Sequence, residues 1–238
     1  GLNGAGTPNA FSTINIAKTG GSISFNTNPL TVTTLSQTTA DTFAITFNEN
    51  LSVTNAVTFS TSGTVTLGDA DTDVFTFDGG VTHTAGNTTL SGTLQTSDDA
   101  IALQNISLGS ASAITTGNGI IQINGNITGG GYNLALISGS GTTTVSGNAI
   151  GLGDVTLQNA AAAGAVSLNG NFEAAALITF AGPHNISLTG NTTTVTNAVT
   201  FDNTGLLTLG NAASDTITFT GGVTHTAGDT TLSGTLRT

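Results

Sequence analysis

The sequence predicts an all-β chain wound as a parallel β-helix, a β-solenoid of about 11–12 rungs with roughly 20 residues per rung. Three observations favour this fold. Short apolar–polar–apolar triplets recur along nearly the whole chain, glycine and asparagine separate them, and a 44-residue segment occurs twice.

The triplets have the period of a strand with one buried face. β-Branched and aromatic residues dominate them, as strands favour. The first residues alternate in the same way at Ile14, Ile16, Ile23 and Phe25. Two alanine runs, 160–163 and 174–176, are too short for a helical stripe. The triplets are Val57-Thr58-Phe59, Val65-Thr66-Leu67, Phe75-Thr76-Phe77, Ile101-Ala102-Leu103, Ile106-Ser107-Leu108, Ile121-Gln122-Ile123, Leu134-Ala135-Leu136, Val155-Thr156-Leu157, Val166-Ser167-Leu168, Ile178-Thr179-Phe180, Ile186-Ser187-Leu188, Val199-Thr200-Phe201, Leu207-Thr208-Leu209 and Ile217-Thr218-Phe219.

Turn-forming residues lie between the triplets, as in Asp78-Gly79-Gly80 and Asn124-Gly125-Asn126. Glycine and asparagine tolerate positive φ and form tight corners. Sandwich and propeller strands usually run longer than these triplets. Short strands with such corners instead favour three strands and three corners per rung. Apolar residues would then stack inside, and we expect a charge at Leu67 or Ile123 to break the fold locally.

The duplicated segment spans residues 53–96 and returns at 195–238, with a constant offset of 142 and 31 of 44 positions identical. At roughly 20 residues per rung the offset corresponds to about seven rungs. We expect an integral number, so that both copies occupy the same faces. The repeat indicates a single continuous solenoid over residues 1–238, and a repetitive array is more typical of a scaffold than of an enzyme.

The composition excludes several partners. Only 6% of residues are charged. Lys18 and Arg237 are the two basic residues, and with 13 acidic residues the net charge is −11. Nucleic acids and anionic lipid surfaces need more basic residues than this. The chain has no cysteine for disulfides or a cysteine zinc site. It has neither an apolar run long enough for a transmembrane helix nor a signal peptide after Gly1, so no transmembrane segment is expected.

The best metal candidate is Asp69, Asp71 and Asp73, because alternating carboxylates on a loop can converge on Ca²⁺. The second copy carries Asn211, Ala213 and Asp215 at these positions, so two of the three carboxylates are lost. A solvated corner loop is the favoured interpretation. We therefore expect no cofactor and no metal, with calcium at the aspartates as the alternative.

No catalytic constellation is visible in the sequence. His83 and His225 are equivalent in the repeat and face inward or outward depending on register, whereas His184 follows Pro183 in a turn and is expected to be exposed. Asp98 and Asp99 are adjacent in sequence, so in a strand they would point to opposite faces. Glycan-cleaving β-helix enzymes need paired carboxylates on one face, or a basic residue together with calcium. This chain has only Lys18 and Arg237 as basic residues, near its ends, and no such carboxylate pair, so we predict no enzymatic activity.

Ice-binding surfaces use flat ranks of Thr-x-Thr, and the chain has such pairs at Thr82/Thr84, Thr142/Thr144 and Thr192/Thr194. Ranks need the pair in register on successive rungs, and here the spacing is irregular. Threonine is also a common outward strand residue because of its β propensity. An ice- or polysaccharide-binding module remains the alternative function.

The stretch from Phe77 to Leu94, Phe77-Asp78-Gly79-Gly80-Val81-Thr82-His83-Thr84 and onward, resembles the β-strand repeats of filamentous-haemagglutinin-like adhesins and autotransporter passengers. So does the stretch from Asp99 to Leu108 with Ile114 to Gly119. The resemblance covers roughly residues 43–238 and is one of repeat style. It implies a right-handed parallel β-helix, secretion to the cell exterior, and a role in adhesion, matrix or filament building.

Together these observations predict a structural segment of a large secreted bacterial surface protein, located outside the cell. It would form an adhesin shaft or an extracellular fibre by rung-on-rung stacking. The expected partners are further copies stacked head to tail or further repeats of the same chain, with cell-surface glycans as a further option. A glycan-active β-helix enzyme is the third reading.

Overall fold

The computed structural model describes residues 9–26, 28–159 and 164–238. These residues form an all-β solenoid without a helix, with about 11 turns and equivalent positions about 21 residues apart. The predicted fold class is confirmed. The alanine run 174–176 lies within a strand, and the run 160–163 lies outside the described residues.

The strands of the first third are β1 (Asn9–Ile16), β2 (Ser22–Phe25), β3 (Leu30–Gln37), β4 (Ala44–Phe47), β5 (Leu51–Val53), β6 (Val57–Phe59), β7 (Val65–Leu67), β8 (Val74–Phe77) and β9 (Val81–His83). The middle strands are β10 (Asn87–Thr96), β11 (Ile101–Leu103), β12 (Asn105–Thr116), β13 (Ile121–Ile123), β14 (Ile127–Thr128), β15 (Leu134–Ile137), β16 (Thr143–Val145), β17 (Ala149–Gln158) and β18 (Ala165–Leu168). The last strands are β19 (Phe172–Thr179), β20 (Asn185–Leu188), β21 (Thr192–Val195), β22 (Val199–Phe201), β23 (Leu207–Leu209), β24 (Thr216–Phe219), β25 (Val223–His225), β26 (Thr230–Leu232) and β27 (Thr235–Arg237).

The strands stack in parallel on three faces. One rung consists of β8 on the first face, β9 on the second and the beginning of β10 on the third. The long strands β10, β12, β17 and β19 turn a corner, so that their first half lies on the third face and their second half on the first face of the next rung. Most strands therefore bond to one strand about one turn before them and to another about one turn after them.

Apolar side chains of all three faces form one core along the solenoid axis. The interior contains Leu67 and Ile123, as predicted, and both are buried. Aromatic rings also stack in the core, with Phe25 and Phe47 parallel at 4.8 Å between ring centroids. With one exception, the predicted triplets point their apolar residues inward.

The exception is Ile178-Thr179-Phe180, for which the prediction was wrong. Ile178 and Phe180 are each 42% exposed, whereas Leu177 and Thr179 face the core. The strand β19 turns a corner at Ala175 and Ala176, where its alternation shifts by one residue. In residues 177–180, Leu-Ile-Thr-Phe, either Ile178 and Phe180 or Leu177 and Thr179 can face the core. Only the position of the corner decides which pair is buried.

The expectation of an integral number of rungs per repeat was also wrong. Following strand partners from Val57 on the second face, seven steps lead to Leu207. The repeat equivalent of Val57 is Val199, one face earlier, where its strand lies over Thr179 of the first face. The second copy is thus rotated by one face about the axis. All three faces accept the same alternation, so a repeat need not return to its starting face.

Each copy nevertheless keeps its internal strand pairing. Val57 pairs with Val81 as Val199 pairs with Val223, and Val74 pairs with Thr93 as Thr216 pairs with Thr235. A segment of 44 residues is about two rungs long, so it stacks on itself. The duplicated sequence therefore preserves a register between neighbouring rungs and not a position around the axis.

One corner is built by stacked glycines and asparagines. A Cβ at Gly147 would lie 2.4 Å from the carbonyl oxygen of Gly125, and one at Gly170 would lie 2.3 Å from that of Gly147. Backbones at this spacing leave no room for a side chain. Beside them, asparagine Oδ1 atoms accept the backbone N–H of the next rung at 2.8–3.0 Å, in the series Asn105 to Asn126, Asn126 to Asn148, Asn148 to Asn171 and Asn171 to Thr192.

Candidate interaction surface

The aspartate loop that sequence suggested for calcium is organised by one carboxylate. Asp73 is buried, and its Oδ2 accepts the backbone N–H groups of Asp69 and Ala70, both at 3.0 Å. Asp215 does the same in the second copy, accepting from Asn211 and Ala212 at 2.8 and 2.9 Å. This carboxylate closes the turn, which explains why it is the one acidic residue of the three that both copies share.

The other two carboxylates, of Asp69 and Asp71, are on the exposed side of this turn. Within residues 9–26, 28–159 and 164–238, no group of three histidine or acidic side chains is placed to hold a metal ion. Calcium binding by Asp69, Asp71 and Asp73 stays a prediction that this geometry does not support further.

The structure decides the register of His83, which the sequence left open. His83 lies inside the solenoid, on the same side of its strand as Val81, and its ring packs edge-on against Phe59 with the ring centroids 6.3 Å apart. Its Nε2–H donates to the carbonyl oxygen of Thr61 at 3.1 Å, because a carbonyl can only accept. In the neutral ring, Nδ1 then accepts from the hydroxyl of Thr88 at 2.9 Å.

Burial lowers the pKa of His83 below its ordinary 6.5, and the hydrogen bond to Thr61 offsets part of that effect. A neutral imidazole with both nitrogens bonded inside the core has no access to a substrate. His83 is therefore a polar residue in the stack of core side chains and does not act as a base.

His225 repeats this arrangement on another face. Its Nε2 donates to the carbonyl oxygen of Asn203 at 3.0 Å and its Nδ1 lies 2.8 Å from the hydroxyl of Thr230. Its ring packs edge-on against Phe201 at 6.5 Å, as His83 does against Phe59. The two histidines differ in solvent exposure, since His83 is buried and His225 is only partly buried.

His184, which the sequence placed in an exposed turn, is buried, so that prediction was wrong. The inward alternation of Ile186 and Leu188 extends one residue pair before strand β20 and places His184 in the core. Burial lowers the pKa of its imidazole. Neither ring nitrogen has a hydrogen-bond partner among the described residues, so this histidine is held in the core as a neutral ring.

The acidic pair does not form a catalytic site. Asp98 and Asp99 are both exposed at a corner, where Asp98 Oδ1 accepts from the amide of Asn118 at 2.7 Å. A cavity of about 430 Å³ lies at the first rung, but its lining, chiefly Phe11, Ile14 and Phe25, includes no titratable side chain. A second cavity, of about 380 Å³, has two carboxylates in its lining, those of Asp71 and Asp154.

The predicted Thr-x-Thr pairs do not form a rank. Thr82 and Thr144 lie on the second face three rungs apart, and Thr194 lies on the third face. A rank of hydroxyl residues does run along the third face, one residue wide over six successive rungs. Its members are Ser24, Thr46, Thr66, Thr89, Ser107 and Thr128.

Apolar side chains are uncovered on the rung formed by β25, β26 and β27. Leu232 is 46% exposed and Leu236 is 37% exposed, although their equivalents Leu90 and Leu94 are fully buried. Within the described residues no strand pairs with the outer edge of this rung. We call this edge, from Gly221 to Arg237, the uncovered edge.

Comparison with protein-family models, with curated proteins and with solved structures finds no match for the chain. Its resemblance to filamentous-haemagglutinin-like repeats therefore stays a prediction. In the described part of the chain, no helix is long and apolar enough to cross a membrane.

Sequence reasoning missed the partners that hold these polar groups. Thr61 and Thr88, which bond His83, come from the preceding rung and from a neighbouring strand of the same rung. The asparagine series at the corner was also missed, although its regular spacing of about 21 residues is visible in the sequence. The separations vary from 21 to 23 residues, so a constant rung of roughly 20 residues does not align these asparagines.

Proposed function

We propose that this chain is a structural repeat module, a rigid solenoid segment that spaces or displays other parts of an assembly. The observation that supports it most is the use of polar groups. Asp73, His83 and Asn126, the residue types from which sites are made, all bond to backbone groups of the frame. The core meanwhile continues without interruption from rung to rung.

We further propose that the module belongs to a secreted bacterial surface protein, as part of an adhesin shaft or an extracellular fibre. The resemblance to surface-protein repeats supports this setting. A net charge of −11 would keep such shafts apart laterally while rungs stack along the axis.

The shape is tested by small-angle X-ray scattering of the purified chain. About 11 rungs spaced by about 4.8 Å give a rod of roughly 50 Å in the described region. A pair-distance distribution with a rod-like tail supports a spacer. A distribution typical of a sphere would contradict a rigid shaft.

The setting is tested with an antibody raised against this segment and applied to the native host cells. Staining of intact cells, equal in strength to that of lysed cells, is the expected result. Staining that requires lysis would contradict an extracellular location.

The hydroxyl rank on the third face favours one further candidate, a module that binds ice or a polysaccharide. A glycan array and a thermal-hysteresis measurement with the purified chain test it. The matched variants are Thr89→Val, in the rank, and Thr58→Val, on the second face. Binding that is reduced by Thr89→Val alone would support the second candidate, and the absence of binding would dismiss it.

A further inference from the structure

The second cavity, of about 380 Å³, is a groove on the first face of the solenoid. It follows one outward column of the sheet, in which side chains pair on five successive rungs, namely Thr93, Ala113, Ala135, Thr156 and Ile178. Four rung spacings of about 4.8 Å make the column roughly 19 Å long. The first face continues with β8 beyond one end and with β22 beyond the other, so this first-face groove lies within the sheet.

The side chains of this column are less polar than the outward side chains of the neighbouring face. On the second face, the outward residues of two of these rungs are Gln122 and Thr144. The same two rungs carry Ala113 and Ala135 in the groove. Ile178, at one end of the column, is 42% exposed. Two small residues beside a large exposed one form an apolar trough, and exposed apolar surface of this kind commonly marks a site for a partner.

The groove also carries negative charge. Asp71 and Asp154 are in its lining, and both are exposed. The chain has two basic residues, Lys18 and Arg237, and neither lines the groove. Charge complementarity therefore favours a cationic partner. It disfavours a second copy of this chain, which brings a net charge of −11.

The sheet beneath the groove limits how a partner can bind. The strand β12 pairs with β10 and β15, and β17 pairs with β15 and β19, so each has a neighbour on both sides. Their backbone N–H and carbonyl groups are used within the sheet, so a partner cannot join as an added strand. A bound segment must satisfy its own backbone hydrogen bonds, and an α-helix does so.

We propose that the first-face groove binds a basic amphipathic α-helix of another protein. Apolar side chains on one face of that helix rest on Ala113 and Ala135 against Ile178, and its lysines or arginines pair with Asp71 and Asp154. At 1.5 Å per residue, about 13 helical residues span the column. This site gives the rod a lateral partner and so goes beyond the proposed role of a spacer.

A designed peptide tests the groove. The probe is a fluorescein-labelled helix of about 14 leucine and lysine residues, with the leucines on one face. The control peptide has the same composition, with the leucines distributed around the helix. Fluorescence anisotropy at low salt, with each peptide titrated by the intact chain, gives two dissociation constants. We expect the amphipathic peptide to bind about tenfold more tightly.

Two protein variants separate the groove from general attraction to an acidic surface. Ala113→Arg fills the groove and repels the lysines, whereas Ala102→Arg makes the same change in charge at an outward position of the second face. Both alanines are partly exposed, so both variants should fold. We expect Ala113→Arg to bind the amphipathic peptide about tenfold more weakly than Ala102→Arg.

A second pair tests the apolar wall without changing the charge. Ile178→Thr removes the wall, and Ile120→Thr makes the same change beside β13 on the second face. These isoleucines are 42% and 47% exposed, so neither substitution opens the core. Ile178→Thr should weaken binding of the amphipathic peptide about fivefold, and Ile120→Thr should leave it unchanged.

Equal binding of the two peptides would overturn the proposal, and so would equal affinities of the Ala113→Arg and Ala102→Arg proteins. A glycan array on which the parent chain binds a saccharide and Ala113→Arg does not would also overturn it, since the occupant would then be a saccharide. The rod shape measured by scattering does not depend on what the groove binds. Failure of this proposal therefore leaves the proposed function standing.

Discussion

The two copies of the repeat have the same local geometry and different surroundings. The edge-on contact of Phe59 with Phe77, at 6.2 Å, returns between Phe201 and Phe219 at 5.9 Å. The carboxylate turn of Asp73 returns at Asp215 with the same two backbone donors. These features survive rotation by one face, so they depend on the segment's own two rungs.

Burial does not survive in the same way. Leu90 is completely buried under the next rung, whereas Leu232 lies on the uncovered edge. The sequence around both is nearly identical, so the difference comes from the neighbour. In a solenoid, local shape is a property of the segment, and the energy of each rung depends on the rungs beside it.

The largest expected effect is a difference in the free energy of unfolding between equivalent substitutions in the two copies, because a neighbouring rung covers only the first copy. Leu90→Asp places an unpaired charge in the core and should destabilise the protein by roughly 3–5 kcal/mol. Leu232→Asp, at an exposed position of identical local sequence, should cost about 1 kcal/mol or less. Chemical denaturation of both variants measures the difference, and equal losses would show that burial does not distinguish the copies.

The next effect should be shared by both copies. Asp73→Ala and Asp215→Ala each leave two backbone N–H groups without their acceptor, at a cost of about 2–3 kcal/mol. Denaturant midpoints of the two variants should fall by similar amounts, because the turn is local. Loss in one copy alone would mean that a neighbouring rung, and not the carboxylate, holds the turn.

The pH dependence of stability should follow the buried histidines of the described core. Since the pKa of His83 in the folded protein lies below its ordinary value of 6.5, the unfolded chain takes up a proton first as the pH falls. Stability should thus be fully present above pH 6.5 and decline below it, by at most about 1.4 kcal/mol per pH unit for each such imidazole.

Unfolding measured from pH 7.5 down to about pH 5.5 tests this. His83→Asn should flatten the decline, and Thr88→Val, which keeps the imidazole, should not. His184, whose pKa burial also lowers, should contribute in the same direction. A wild-type protein whose stability is constant over this range would contradict both assignments.

The smallest expected effect on stability concerns buried threonines at core positions that apolar residues occupy in other rungs. The hydroxyl of Thr88 bonds His83, whereas the buried hydroxyl of Thr143 has no partner among the described residues. Thr143→Val should stabilise the protein by about 1 kcal/mol, because it removes an unpaired buried group at nearly constant shape. Thr88→Val should destabilise it instead. Thermal denaturation of the pair gives the sign of each change.

Much of the fold was readable from alternation, since pairs such as Val57 and Phe59 point inward as predicted. The failures occur where the alternation is ambiguous or continues past a strand. Ile178 faces out because a corner shifts the phase, and His184 faces in because inward alternation extends beyond β20. The calcium suggested for Asp69, Asp71 and Asp73 stays a prediction, and of these three side chains Asp73 bonds the backbone of its own turn.

By itself, the sequence determined that the chain forms short strands with one apolar side, that glycine and asparagine turn its corners, and that two segments share one local structure. These follow from side-chain alternation and backbone freedom within a few residues. Only the tertiary structure decided that the copies lie on different faces and that His83 is covered while His225 is partly open. Those outcomes depend on the length of every intervening rung and on which rung lies next, and neither is contained in the repeated segment.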